Sequence, residues 1–263
     1  MSTDELRRAL RQVTAARVLL GRAGPALPTR AWLEFQLAHA RARDAVQAPC
    51  DLESLAQALR ARAIESVIVH SQATDRTTYL TRPDLGRLPD DDALRTAQAL
   101  ARERGPIDVA IVASGGLSAT ALHRHGEPLL LALQQALRGE GLVVGPVLLV
   151  EQGRVALADP LAEALGARLA LVVIGERPGL SVHDSLGIYL TYAPRSGRSD
   201  AERNCVSNVR PPGGLDYHEA AKQVAWLATE ALRRGLSGVE LKPDAGSLLA
   251  PAPGDDARSI AGE

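Results

Sequence analysis

The sequence predicts an α/β fold: a Rossmann-like, mostly parallel sheet flanked by helices, preceded by a helical N-terminal region. Three stretches carry that reading. "IESVIVH" (Ile64–His70), "IDVAIVAS" (Ile107–Ser114) and "ARLALVVIG" (Ala167–Gly175) are dominated by Val, Ile, Leu and Ala, as strands buried on both faces are. Between them apolar residues recur at helical spacing, and strands alternating with helices imply a parallel sheet covered on both sides.

The elements follow in order. From Thr3 to Leu20, the residues Leu6, Leu10, Val13 and Val18 lie at helical spacing, and "GRAGP" ends the pattern. A second helix is expected over Pro28–Val46, with Thr29 at its N-cap. Residues 1–48 thus form the helical region. "DLESLAQALRAR" is a helix leading into the first strand, and "RPDLGRLPDDDALRTAQALARERG" is a turn-rich entry followed by a helix. After the strand at Ile107–Ser114, Gly115-Gly116 opens helical sequence, with a break expected at Gly126–Pro128. "LVVGPVLLVEQG" is a strand or a pair of strands, "RVALADPLAEALG" contains a helix, and "DYHEAAKQVAWLATEALRRG" is the last helix. Residues 49–242 make up the α/β domain. Residues 243–263 are rich in Pro, Gly and Asp and read as a disordered tail.

Composition excludes several classes. With 263 residues, 46% of them hydrophobic, the chain can bury a sizeable core. One Phe, two Trp and four Tyr leave that core to Ala, Leu and Val. A net charge of −1 gives no global pull toward nucleic acid or an anionic membrane. Lysine occurs only at 222 and 242, so the arginine excess reads as codon bias and not as a phosphate-binding device. Cys50 and Cys205 lie far apart and match no metal spacing, which suits a reduced, cytosolic protein. "MSTDELRRAL" is charged from the start, unlike a signal peptide, and no apolar run reaches the roughly 18 residues of a membrane span.

Few residues suggest chemistry. Gly115-Gly116 follows a strand and precedes a helix, a place where free N–H groups can cradle an anion, but the spacing is not that of a dinucleotide fingerprint. A stand-alone nucleotide-binding α/β enzyme using that turn is one reading of the chain; a tight strand-to-helix turn with no ligand is the other. His123 and His125 sit two apart, on different faces of one helix, and read as structural. Ser118 and Ser181 lack a nucleophile elbow. Glu176 and Arg177 stand out because they follow the most hydrophobic strand at its carboxyl end, where open α/β sheets bind ligands. Pro178 and Gly179 stiffen their loop. Cys205 lies in "RNCVSNVR" among Asn204, Ser207 and Asn208. That cluster suits either a large ligand with many amide groups or a turn around a buried Cys.

The strings "LGRAGPALPTR", "FQLAHARARDAV", "YLTRPDLGR", "GLSA", "VIGERPGL", "DSLGIYLTYAPR", "AERNCVSNVR" and "LSGVEL" carry a resemblance. In order and spacing, from Ala15 to about Lys242, the chain resembles the small (light) subunit of ethanolamine ammonia-lyase. The resemblance implies a lyase that converts ethanolamine into acetaldehyde and ammonia with adenosylcobalamin, through a deoxyadenosyl radical. It implies an obligate partner, the large subunit, in a hetero-oligomer of several pairs. The catalytic residues would lie in that large subunit, and this chain would supply none and bind no metal directly. Its Rossmann-like domain, residues 49–242, would close over the corrin. Consistent with a family that keeps dimethylbenzimidazole on cobalt, the histidine-donating string DxHxxG is absent. Three cofactor contacts carry over by position: Val155, Glu176 and Cys205. The N-terminal helices, with Trp32 and Phe35, would meet the core or the partner. Some members reside in bacterial microcompartments, so the cytoplasm or such a compartment is the expected location. One departure is Gly115, where many relatives place an acidic residue before "GLSA"; weaker cofactor affinity is the expectation it carries. A third reading, an assembly factor handling cobalamin without taking part in turnover, stays open at this point.

Overall fold

The computed structural model describes residues 3–14 and 16–242. Six strands form one sheet: β1 (Ser66–Val69), β2 (Val109–Ser114), β3 (Val144–Val150), β4 (Leu169–Gly175), β5 (Leu186–Tyr192) and β6 (Arg203–Val209). Their order is β1-β3-β2-β4-β5-β6. The first four are parallel, whereas β4–β5 and β5–β6 pair antiparallel, so the sheet is mixed.

Eight α-helices accompany it among the described residues: α1 (Thr3–Val13), α2 (Thr29–Gln47), α3 (Leu52–Ala61), α4 (Arg76–Thr81), α5 (Asp91–Arg104), α6 (Ala119–Gly139), α7 (Ala158–Ala164) and α8 (Tyr217–Arg234). Alternate residues of each parallel strand enter two separate apolar layers. Leu169, Leu171 and Val173 of β4 pack with α3, α6 and α8. Ala170, Val172 and Ile174 pack with α5 and α7. Both faces of β4 are therefore dry, which is why its sequence shows no polar alternation. Aspartates start several helices: Asp51, Asp75, Asp90 and Asp216 each accept a backbone N–H from the first turn, satisfying donors with no partner inside the helix. Gly235, with φ 69°, ends α8 in the left-handed conformation that glycine adopts without penalty.

Several expectations need correction. The first helix ends at Val13 rather than Leu20. Thr29 is the first residue of α2 and not its N-cap; Pro28 holds that place with no side-chain cap. The expected break at Gly126–Pro128 does not occur, and α6 runs through Pro128. Proline there removes one backbone hydrogen bond, and burial of Leu122, Leu129, Leu130, Leu133 and Leu137 on the same helix outweighs it. "LVVGPVLLVEQG" supplies one strand, β3. Neither α4 nor the β5–β6 hairpin was assigned from sequence. The expected tail, residues 243–263, lies outside the described residues. Among the described residues no helix is long and apolar enough to cross a membrane.

Candidate functional site

The site is built where β4 leaves the sheet. Gly175 ends the strand and Glu176 follows it. The exit of β2 crosses close by, since Leu117 N–H donates to the Gly175 carbonyl at 3.0 Å. A Cβ on Gly175 would lie 2.8 Å from the Ser118 carbonyl carbon and nearer still to the Ser118 and Gly115 carbonyl oxygens. Gly116, at φ 55°, faces Gly175 and Ile174 with equally little room. Two glycines thus let two backbones touch.

This packing fills the turn that sequence offered as an anion cradle. Gly115 and Gly116 are buried. Ser118 Oγ accepts from Ala121 N–H at 3.2 Å and donates to the His183 carbonyl at 2.8 Å. A side chain at position 115 would meet Cys50 Sγ at 2.9 Å. The space that an acidic residue would need is taken by the Cys50 thiol, whose pKa burial pushes up to about 12.

Glu176 is held from three sides. Its N–H donates to the Ser185 carbonyl at 3.0 Å. Its carboxylate accepts Ser185 Oγ–H at 2.5 Å and Asn208 N–H at 3.2 Å. These partners, rather than Arg177, fix it. The carboxylate lies over Gly187: a Cβ there would sit 3.0 Å from Glu176 Oε1. Asn208 can donate because β6 carries an extra residue opposite β5, between the pairs Leu186–Val209 and Ile188–Val206. Asn208 takes φ 58° at this bulge, a conformation asparagine tolerates. Ser207 and Asn208 are consequently both exposed.

Tyr189 of β5 opposes Cys205 of β6 directly, so both point to one face. Burial, with Cys205 and Glu176 nearby, pushes the Tyr189 phenol up to about 12. Partial desolvation raises the Cys205 thiol as well, against the lowering effect of a hydrogen bond with Tyr189. Both groups are neutral at physiological pH. Cys205 is exposed, which corrects the alternative of a turn around a buried cysteine. Val155 opens a short 3-10 turn, Val155–Leu157, ahead of α7. It packs against the α5/α7 apolar layer, as Tyr189 does. Glu176, Tyr189 and Cys205 therefore form one group, with Val155 on the same side of the sheet.

The loop that returns to Ser185 is pinned beneath. Asp184 accepts Arg124 Nη1–H at 2.6 Å, with Arg210 Nε at 3.8 Å. His125 Nδ1 pairs with Tyr217 Oη at 2.7 Å, and burial lowers the His125 pKa. His123 Nε2 accepts Asp51 N–H at 2.8 Å. Both histidines are structural, and no metal-holding cluster of His, Cys, Asp and Glu occurs among the described residues. Sequence reasoning missed Ser185, Gly187 and Tyr189. The usable signal was the small-residue pair Ser185 and Gly187 flanking Leu186 at the start of an apolar run.

The family model described as ethanolamine ammonia-lyase light chain (EutC) matches residues 4–242. The chain belongs to the ethanolamine ammonia-lyase small-subunit family. The small subunit of ethanolamine ammonia-lyase from Azotobacter vinelandii is 54% identical over 237 residues, covering 90% of this chain and 87% of that protein. Those from Pseudomonas paraeruginosa and Ralstonia nicotianae are 53% and 52% identical, covering 90% and 89% of this chain and 86% and 87% of theirs. This chain is accordingly a small subunit of ethanolamine ammonia-lyase, a lyase.

Proposed function

We propose that this small subunit closes over the corrin of adenosylcobalamin at its interface with the large subunit, and that Val155, Glu176 and Cys205 contact the cofactor. The observation that carries the reading is the Glu176 carboxylate, fixed over Gly187 by Ser185 and Asn208 beside the open strand face of Tyr189 and Cys205. The donor set fits the group. A corrin is a broad disc rimmed by amide arms, and this face offers one fixed acceptor, exposed Ser207 and Asn208, and a neutral thiol. When bound, adenosylcobalamin supplies the cobalt–carbon bond whose homolysis starts radical chemistry on ethanolamine. Glu176 accepts hydrogen bonds from the cofactor's N–H groups, while Val155 and Cys205 pack against it. None of the three moves a proton or breaks a bond.

The finer readings belong to the same proposal. The fold is Rossmann-like, the N-terminal helices meet the large subunit, several large–small pairs assemble, and the subunit is inactive alone. Cytoplasmic or microcompartment residence follows from family habit. The filled Gly115-Gly116 turn speaks against a stand-alone nucleotide enzyme.

Ammonia release from ethanolamine with adenosylcobalamin is the test, using the large subunit with and without this chain. Activity is expected only in the combination. Removing a hydrogen-bonding carboxylate costs about 1.5–3 kcal/mol, so Glu176→Ala should weaken cobalamin binding by about tenfold or more. Full activity of the large subunit alone would sink the proposal.

A further inference from the structure

Arg203 and Asp159 form a charged pair buried at 2% and 1% side-chain exposure, with no place in the cofactor contacts above. The pair is bidentate: Arg203 Nη1–H and Nη2–H donate to the two Asp159 oxygens at 2.8 and 2.6 Å. Nη1–H also donates to Thr191 Oγ1 at 2.8 Å, and Nη2–H to the Arg198 carbonyl at 3.0 Å. Burial opposes the guanidinium charge, the bonds to Asp159 overcome that, and the Arg203 pKa is held above its ordinary value.

The connectivity gives this network its meaning. Asp159 stands in the first turn of α7, one helical turn beyond Val155. Arg203 stands on β6 two residues before Cys205, hence on the same strand face. Thr191 stands on β5 two residues after Tyr189. One guanidinium therefore joins the three elements that present Val155, Tyr189 and Cys205. We infer that the Arg203–Asp159 pair is a positioning device that sets the Val155 turn against the Tyr189–Cys205 strand pair, and so the width of the cofactor face. This inference rests on the cofactor reading proposed above. A buried ion pair is a poor way to gain stability, because desolvation offsets its attraction, and an apolar replacement of similar volume commonly folds as well. What an apolar cluster lacks is the fixed fork geometry of arginine and carboxylate.

The test uses the assembled large–small complex and reads two quantities, melting temperature and adenosylcobalamin affinity by spectral titration. The triple variant Asp159→Leu/Thr191→Val/Arg203→Met removes the pair and its hydroxyl partner together, leaving no unpaired buried charge. It is expected to melt close to wild type and to bind cobalamin about tenfold more weakly, as a small misplacement of contact groups does. Wild-type affinity in the triple variant, with Glu176→Ala weakened, overturns the positioning role and leaves the cofactor face standing. A weakened triple variant beside an unchanged Glu176→Ala upholds the positioning role and removes Glu176 from the face. Wild-type affinity in both removes the face and the positioning role together. If the triple variant does not assemble, Asp159→Glu replaces it. That change keeps the charge and displaces the turn by a methylene, so a several-fold loss of affinity is expected and an unchanged affinity overturns the inference.

Discussion

Gly175→Ala should be among the most damaging single-methyl additions to this protein. The new Cβ would sit 2.8 Å from the Ser118 carbonyl carbon, with the Ser118 and Gly115 oxygens closer still. All three atoms are backbone, and they belong to the turn that sets the N-cap of α6, so no side chain can swing away. Overpacking costs about 1–3 kcal/mol where side chains can yield, and a rigid backbone neighbour places this site near the upper figure. At about 2–4 °C per kcal/mol for a domain of this size, the melting temperature should fall by roughly 6–12 °C. Circular dichroism melts of the wild type, Gly175→Ala and Gly139→Ala give the comparison. Gly139, the last residue of α6, has no neighbour within 4 Å of its would-be Cβ. Alanine there should be neutral or stabilise by up to about 1 kcal/mol through the unfolded chain. If Gly175→Ala melted within about 2 °C of wild type, the backbone crossing would not be the close contact described, and the filled Gly115-Gly116 turn would lose its basis.

Two titrations probe the rest. Cys205 should alkylate with iodoacetamide only as pH rises past the ordinary thiol value, because the thiolate is the nucleophile and its pKa is raised. Tyr189→Phe removes the hydrogen bond that lowers this pKa, so the rate at fixed pH should fall further; a faster rate would show that the phenol does not support the thiolate. Cys50, raised to about 12 by burial, should not compete. Glu202 has its pKa lowered to about 2 by Ser199 N–H, then by Arg198 and the Ser199 hydroxyl. A depressed carboxylate contributes stability above its unfolded pKa and loses it as pH falls through the folded one. Ser199→Ala should shift the Glu202 carboxyl resonance midpoint upward in a pH titration by NMR, and an unmoved midpoint would refute the contribution of the Ser199 hydroxyl.

The parallel half of the fold was legible because each of its longer strands is buried on both faces and therefore apolar throughout. β2 and β4 could hardly be read otherwise. The hairpin was harder. β5 mixes Gly187, Tyr189 and Thr191 with aliphatic residues, and β6 reads as polar because Asn204, Cys205, Ser207 and Asn208 are not in the core. Glu176 was legible by position at a strand end. Its partners were not, because Ser185 and Asn208 reach it only after β5 has turned back and β6 has bulged. Val155 came from family resemblance alone, whereas Cys205 also stood out through its neighbours Asn204, Ser207 and Asn208, a cluster that suited a ligand and a turn equally. Pro128 misled because local helix chemistry was weighed without the leucines that bury around it.

The polar character of β6 and the openness of the site have one cause. Helices α5 and α7 cover the parallel strands on one side, but α7 is only seven residues long, or about 10 Å. It reaches the β5–β6 hairpin where Asp159 meets Arg203 beside Thr191, and the hairpin's other face is closed by Ile188, Leu190, Val206 and Val209 packing with α6 and α8. One face dry and one face wet is what an antiparallel extension allows and a parallel strand rarely does. The outer edge of β6 would then be exposed to further strand pairing. Part of it is occupied instead: Leu215 N–H donates to the Asn208 carbonyl at 2.8 Å, and the Asn204 side-chain amide donates to the Gly238 and Leu241 carbonyls at 3.1 and 2.7 Å and accepts Gly238 N–H at 2.7 Å. Below it, the Asn208 bulge turns a backbone N–H toward Glu176 and away from any added strand. With its edge partly occupied and one face packed, the hairpin leaves open to contact the surface that carries Tyr189, Cys205 and Ser207 beside a fixed carboxylate.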